Sequence, residues 1–248
     1  MQSTYKPHTL EWTDEKVAHF WNFRNQYAPF ENTWFTYQVG NAVLNLANQV
    51  SPIRGQVLDY GTGKGFLLKH LFDRNTGAHV HACDFSDTLV ADCNRQYKQQ
   101  AGFAGCEHIQ SLPSVYAANQ FDYVFLIETI EHLTDQYLHA TLAEIHRVLK
   151  PGGTVIITTP NEEDLLQNMV HCADCGATFH HMQHIRSWHA DQLNTLMQEN
   201  KFAVLFCKAV NMQWYGKKGW MHRFRDFVRG FFTRTRTSNL VYIGRKQG

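Results

Sequence analysis

The 248-residue chain is 44% hydrophobic and 18% charged, a globular balance that excludes a disordered or low-complexity protein. A formal net charge of +1 argues against the global basic field that draws proteins to nucleic acid. The polar first ten residues lack the apolar stretch of an export signal, and no run of about 18 apolar residues exists to span a membrane. Reduced thiols in the cytoplasm are therefore expected for the six cysteines, at positions 83, 93, 106, 172, 175 and 207.

In chain order, an aromatic-rich segment comes first, with Phe20, Trp21, Trp34 and Phe35 among its rings. Pro29 divides it into two predicted helices, the second over residues 32–48, which together form a helical cap across residues 1–50. From Gly55 the pattern changes. A short strand at 56–58 runs into Asp59 and a glycine-rich turn, and a helix at 66–72 follows. Next come a strand at 79–83 ending at Asp84, a helix at 87–100 and a weak third strand at 107–110. Residues 121–127 are almost continuously apolar, as a buried central parallel strand requires. A helix at 138–150 is stopped by Pro151-Gly152-Gly153, and a β-branched strand occupies 154–159.

After an insertion at 161–188, a helix at 190–199 precedes strands at 202–209 and 239–245, expected to pair antiparallel at a sheet edge. Alternating strands and helices imply right-handed crossovers. The expected fold is α/β, with a doubly wound, mainly parallel sheet over residues 51–248.

The first strand delivers Asp59 and then Gly61-Thr62-Gly63-Lys64-Gly65, a G-x-G-x-G loop whose glycines allow a sharp turn and close approach to a ligand. This is neither the phosphate-cradling G-x-x-x-x-G-K-[ST] pattern nor the G-x-G-x-x-G dinucleotide spacing. An acid immediately before the loop repels a pyrophosphate and attracts the ammonium group of an amino acid. Asp84, at the tip of the second strand, can accept hydrogen bonds from ribose hydroxyls, and Phe85 can pack on an adenine. A ligand that is both amino acid and nucleoside fits this pair, and S-adenosylmethionine (SAM) is such a ligand. The alternative is that both acids merely cap helices.

Residues 56–159 resemble the class I SAM-dependent methyltransferase family. Val57-Leu58-Asp59 with its glycine loop, Phe121-Asp122-Tyr123-Val124 and Leu149-Lys150-Pro151-Gly152-Gly153 carry the resemblance. It implies a Rossmann-like, seven-stranded methyltransferase fold. Asp59, Gly61 and Gly63 would hold the methionine part with Gly65 closing the loop, Asp84 the ribose, and Ser111 and Leu112 would flank the adenine. Gln110-Ser111 lacks the acid that the family often places before its adenine contact.

Beyond residue 127 stands Glu128-Thr129-Ile130-Glu131-His132, at the carboxyl end of the central strand where ligands of open α/β sheets bind. A helical turn there puts Glu128, Glu131 and His132 on one face, a candidate divalent-metal site. The competing readings are acids favoured at a helix N-terminus by about 0.3–1 kcal/mol each, and a histidine acting as general base or buried in the core. The three residues match the E-x-x-E-H motif of two methyltransferase groups, one acting on the 2′-hydroxyl of small RNAs, the other on catechol-like ubiquinone precursors. The resemblance implies magnesium or another divalent cation here, with Glu128, Glu131 and His132 as metal or catalytic residues.

The insertion contains Cys172-Ala173-Asp174-Cys175-Gly176, a tight knuckle followed by His180, His181 and His184. Four nitrogen and sulfur ligands suit tetrahedral zinc, with Cys172, Cys175, His180 and either His181 or His184 as candidates. A disulfide and a redox pair are the alternatives. The stretch Gln183-His184-Ile185-Arg186-Ser187-Trp188 is similar to a His-x-x-x-Trp segment of the small-RNA enzymes, which implies that His184 joins Glu128, Glu131 and His132 instead. The whole insert resembles that of a branch of small-molecule methyltransferases carrying C-x-x-C-G.

Residues 217–236 interleave Arg223, Arg225 and Arg229 with Trp220, Phe224 and Phe227 at helical spacing. Such a helix covers the sheet edge, lies on an anionic membrane surface or follows an RNA backbone. The leading expectation is O-methylation of a small-molecule or glycan-like acceptor by a SAM-dependent enzyme. RNA 2′-O-methylation and a non-catalytic SAM- or metal-binding protein are the alternatives.

Overall fold

The computed structural model describes residues 5–212, 215 and 239–248. The basic aromatic segment at 217–236 lies outside the described residues. Among those described, no helix is long and apolar enough to cross a membrane.

A short strand β1 (His8–Thr9) precedes α1 (Asp14–Gln26), a 3-10 turn (Ala28–Thr33) and α2 (Phe35–Val50). Thr13 caps α1, its hydroxyl accepting the Lys16 N–H at 3.4 Å. The second helix starts three residues later than its predicted residue 32, because Pro29 sits at the head of a 3-10 turn that first uses up residues 28–33.

Then follow β2 (Gln56–Tyr60), α3 (Phe66–Asp73), β3 (His79–Asp84), α4 (Asp87–Tyr97), β4 (Phe103–His108), β5 (Phe121–Ile127), α5 (Asp135–Val148) and β6 (Leu149–Pro160). The insertion forms β7 (Met169–His171) and β8 (Ala177–His180), and the chain closes with α6 (Ala190–Glu199), β9 (Phe202–Val210) and β10 (Asn239–Lys246).

Seven strands make one sheet in the order β4-β3-β2-β5-β6-β10-β9. Its first five strands are parallel; β10 runs antiparallel to both β6 and β9. The doubly wound α/β expectation is borne out, with the antiparallel pair at the edge. The strand at 107–110 is corrected: β4 begins at Phe103, whose ring packs against Phe72 and Tyr97. Helix 138–150 begins instead at Asp135 and ends at Val148, and Pro151-Gly152-Gly153 lies inside β6.

Side chains alternate across the sheet as the two-residue strand period requires. Val57, Tyr123, Phe125 and Ile127 face one core, shared with Leu44 and Leu46 of α2 and with Leu68 of α3. Leu58, Val124 and Leu126 face the other, with Leu142 of α5 and Leu193 of α6. Burial on both faces explains why β5 is apolar throughout. The chain proceeds outward from β2 through β3 to β4, then returns to β5 on the other side of β2. That reversal opens a crevice beyond the carboxyl ends of β2 and β5.

A second, three-stranded sheet has the order β1-β8-β7. The knuckle at 172–176 is the tip of the β7–β8 hairpin, with Cys172 N–H donating to Ala177 O at 2.8 Å and Gly176 N–H to Cys172 O at 2.9 Å. The N-terminal arm docks on it: His8 N–H donates to Gly176 O at 3.0 Å. A Cβ on Gly176 would meet the Lys6 carbonyl at 2.4 Å, so this close approach requires glycine.

Candidate functional site

Asp59 and Asp84 end neighbouring parallel strands, with Asp59 in register with Ala82. Asp59 is 3% exposed, and its Oδ2 accepts the Thr62 hydroxyl at 2.7 Å. Burial pushes its pKa up to about 7, against that hydrogen bond, and the charge of Asp84 adds to the rise. A buried carboxylate so poorly satisfied gains by meeting a cation.

Asp84 holds the loop in place. Its Oδ2 accepts the Gly63 N–H at 2.9 Å and its Oδ1 the Ser86 N–H at 2.9 Å, while Cys83 O accepts the Gly61 and Thr62 N–H groups. Gly63 adopts φ +55°, and a Cβ there would meet the Trp34 ring at 2.8 Å. Phe85 is 41% exposed beside Tyr60, and its carbonyl accepts the His108 Nε2–H at 3.0 Å. Ser111 and Leu112 follow β4, Ser111 exposed and Leu112 partly buried against the second core.

The 128–132 segment differs from the predicted helical turn. Glu128 adopts φ +46°, and a 3-10 turn spans Ile130–His132. Ile130, wholly buried in the core, anchors the turn. A left-handed residue outside glycine marks stored strain, here held by β6: Glu128 N–H donates to Thr158 O at 3.0 Å, and the Thr158 hydroxyl donates to Glu128 Oε1 at 2.8 Å. Glu131 is 1% exposed, and among the described residues neither carboxylate oxygen has a partner at hydrogen-bond geometry, although the Thr159 hydroxyl acts on it. Burial pushes Glu128 up to about 7 and Glu131 well above the usual carboxylate range, with the Glu128 charge adding to the latter.

The insert brings histidine to this turn. Gln183 is fully buried. Its carbonyl accepts the His132 Nδ1–H at 3.3 Å, its Nε2–H donates to His132 O at 3.1 Å, and Ile185 N–H donates to Glu131 O at 3.1 Å. His184 Nδ1 hydrogen-bonds to Glu163 Oε2. With Nδ1 occupied as donor in both rings, each Nε2 keeps a free lone pair. Candidate ligand atoms of Glu131, His132 and His184 lie within 4.8 Å of one another. Burial first, then the neighbouring His184, lowers His132 to about 3, so it is neutral in ordinary buffers. A neutral ring has a lone pair to offer a cation or a proton.

These donors fit a divalent cation: imidazole nitrogens of His132 and His184, the buried Glu131 carboxylate, and Glu128 alongside. Glu128 itself faces Thr158 and is not part of the close trio.

The expected cysteine–histidine zinc quartet does not assemble among the described residues. His180 Nδ1 accepts the Met182 and His184 N–H groups at 3.3 and 3.2 Å, so its neutral ring carries the proton on Nε2, 3.4 Å from Glu163 Oε1. His180, Glu163 and His184 nonetheless form a second group of candidate ligand atoms within 4.8 Å of one another, and the thiols are not part of it. Cys175 is exposed at the hairpin tip, and the backbone N–H groups of Cys175 and Asp174 lower the Cys172 thiol.

A cavity of about 260 Å³ joins the two halves of the site. Asp59, Gly61 and Thr62 line one end, Glu128, Glu131, His132 and His184 another, and Trp21, Arg24 and Trp34 come from the N-terminal elements. Asp84, Phe85, Ser111 and Leu112 lie outside that cavity, on the loops after β3 and β4. The sequence reading missed Glu163, Gln183 and Arg24. Glu163 sits in an acid-rich loop just past β6, and its place at a strand's carboxyl end was the available signal.

The sequence matches the methyltransferase domain family over residues 34–205. The chain belongs to that family. The class I SAM-dependent resemblance drawn from the glycine loop and strand motifs is thereby borne out. Among similar proteins, phosphoethanolamine N-methyltransferase 2 of Caenorhabditis elegans is 32% identical over 103 residues, 41% of this chain and 23% of that protein. Ubiquinone biosynthesis O-methyltransferase of Pseudomonas aeruginosa is 28% identical over 152 residues, 59% of this chain and 60% of its own length. The matches thus span less than two thirds of either relative. In fold, the methyltransferase domain is similar to the Burkholderia thailandensis 1,6-didemethyltoxoflavin-N1-methyltransferase, with TM-score 0.62 and 16% identity over 98% of this chain and 94% of that one.

Proposed function

We propose that this methyltransferase moves the methyl group of SAM to an oxygen of a small-molecule acceptor seated at Glu131, His132 and His184. One observation carries the reading. Ligand atoms of Glu131, His132 and His184 lie within 4.8 Å of one another in the same cavity as Asp59 and the glycine loop.

Asp59 would take the ammonium of SAM, matching a buried carboxylate to a cation. Asp84 would receive the ribose hydroxyls on its remaining lone pairs, with Phe85 and the 111–112 loop near the adenine. Glu131, His132 and His184 would hold a divalent cation, and Glu128 would contribute charge beside it. Such a cation lowers the pKa of a bound hydroxyl and fixes its oxygen in place. Gln183 and Ile185 hold the 131–132 turn against the insert, so the acceptor oxygen is oriented before methyl transfer.

The similarity to an O-methyltransferase of ubiquinone biosynthesis supports oxygen as the target. The knuckle thiols Cys172 and Cys175 remain a place for thiolate-bound zinc with ligands other than His180. Cysteines without disulfides suit a reducing, cytoplasmic setting. The test is calorimetric SAM binding, then methyl transfer to catechol with magnesium and with excess chelator. Binding of SAM and loss of turnover on chelation are expected. Undetectable SAM binding overturns the SAM assignment, and turnover indifferent to chelator overturns the metal assignment.

A further inference from the structure

The same cavity contains a further cation, Arg24. Arg24 lies in the last turn of α1, three residues beyond Trp21, and lines the cavity with it. Its guanidinium carbon is 4.3 Å from the centroid of the Phe30 ring and 5.8 Å from that of Phe20. Among the described residues no carboxylate forms an ion pair with it, and burial alone lowers its pKa. An arginine stays protonated under all ordinary conditions. It is therefore a planar charge, steadied by aromatic faces, with its hydrogen-bond donors left for a ligand.

The position of a favourable cation at a helix C-terminus explains a basic residue in the last turn. It does not explain why this one lines the cavity. Trp21 fixes the order along the wall. Its ring is 5.0 Å from His132 and 6.1 Å from Trp34. Arg24 stands about 4.5 Å further along the helix axis. With Asp59 facing the SAM ammonium and the divalent cation facing the reacting oxygen, Arg24 is the cation left to pair a second, negative group on the acceptor.

We infer that the acceptor carries an anionic group, a carboxylate in the first instance, and that Arg24 is its anchor while Trp21 and Trp34 flank the acceptor's body. The inference rests on the small-molecule O-methyltransferase reading for the acceptor's place in the cavity. It adds the acceptor's charge and the residue that selects it.

Three probes test it by calorimetry on S-adenosylhomocysteine-loaded protein: catechol, 3,4-dihydroxybenzoate and benzoate. With magnesium present, 3,4-dihydroxybenzoate is expected to bind at least tenfold more tightly than catechol. Arg24→Gln should erase that ratio and weaken benzoate; Arg24→Lys should restore part of it, since lysine keeps the charge and loses the planar fork. Equal binding of the two diols overturns the inference, as does a carboxylate preference that survives Arg24→Gln, or failure of all three probes to bind. Should chelator leave catechol binding intact while the Arg24-dependent preference persists, the metal reading fails and the anion subsite stands.

Discussion

Glu163 binds His184 through Nδ1, and the same His184 ring supplies a candidate ligand atom within 4.8 Å of those of Glu131 and His132. A carboxylate behind a ligand histidine fixes both its tautomer and its ring orientation.

Glu163→Ala should therefore weaken divalent-cation binding by about 10–100-fold. Glu163→Gln, which keeps an acceptor oxygen, should lose less. Manganese titration monitored by calorimetry measures both. Unchanged affinity in Glu163→Ala would show that the loop acid does not orient the ring.

The proposed pairing of Asp59 with the SAM ammonium predicts a pH dependence. Its pKa of about 7 means that the free site is largely protonated at pH 6. The ammonium group prefers the ionised form, so affinity rises with pH, by about eightfold between pH 6 and pH 7.5 on ionisation alone. Below pH 7.5 the ligand's own ammonium stays mostly charged. Asp59→Asn should bind weakly at both values with a flat profile. S-adenosylhomocysteine binding, read by fluorescence, gives the two curves.

Gly63→Ala should damage the loop in two ways. The new methyl meets the Trp34 ring, and φ +55° disfavours any side chain. A loss of more than about 1 kcal/mol in stability is expected, together with weaker SAM binding. Urea unfolding with and without ligand separates the effects.

Away from the site, Glu144 and Arg147 brace α5 against the loop before β5. Glu144 is 4% exposed and bonds Arg147 at 2.6 Å, with the Ser114 N–H at 3.1 Å. Burial alone would raise its carboxyl, but the bonds from Arg147 and Ser114 outweigh burial and hold it below its usual value. Its stabilisation is thus present above the unfolded carboxyl pKa and is lost as pH falls through the lower folded one. Arg147→Ala should cost about 3 kcal/mol at pH 7, where it strands a buried charge, and much less at pH 3. Unfolding free energies at the two values decide it.

Much of the fold was legible because apolar periodicity and strand-end glycines are local signals. The buried run at 121–127 and the Asp59-to-Gly65 loop sit where their pattern placed them. The third strand was misplaced because its start is fixed by the Phe103 ring packing against Phe72 and Tyr97, a tertiary contact that the local alternation does not show.

By itself, the amino-acid sequence determined the order of elements, the sheet's two apolar faces and the acids that end β2 and β3, since each follows from the chemistry of neighbouring residues. Which nitrogen of each histidine is free was decided only in three dimensions. His180 and His184 are four residues apart, yet backbone N–H groups occupy one ring and Glu163 turns the other toward Glu131. A hydrogen bond reads distance and direction: the backbone partners of His180 lie two and four residues on, whereas Glu163 is 21 positions from His184 and Gln183 is 51 from His132, and these meet only after β5, β6 and the insert have packed.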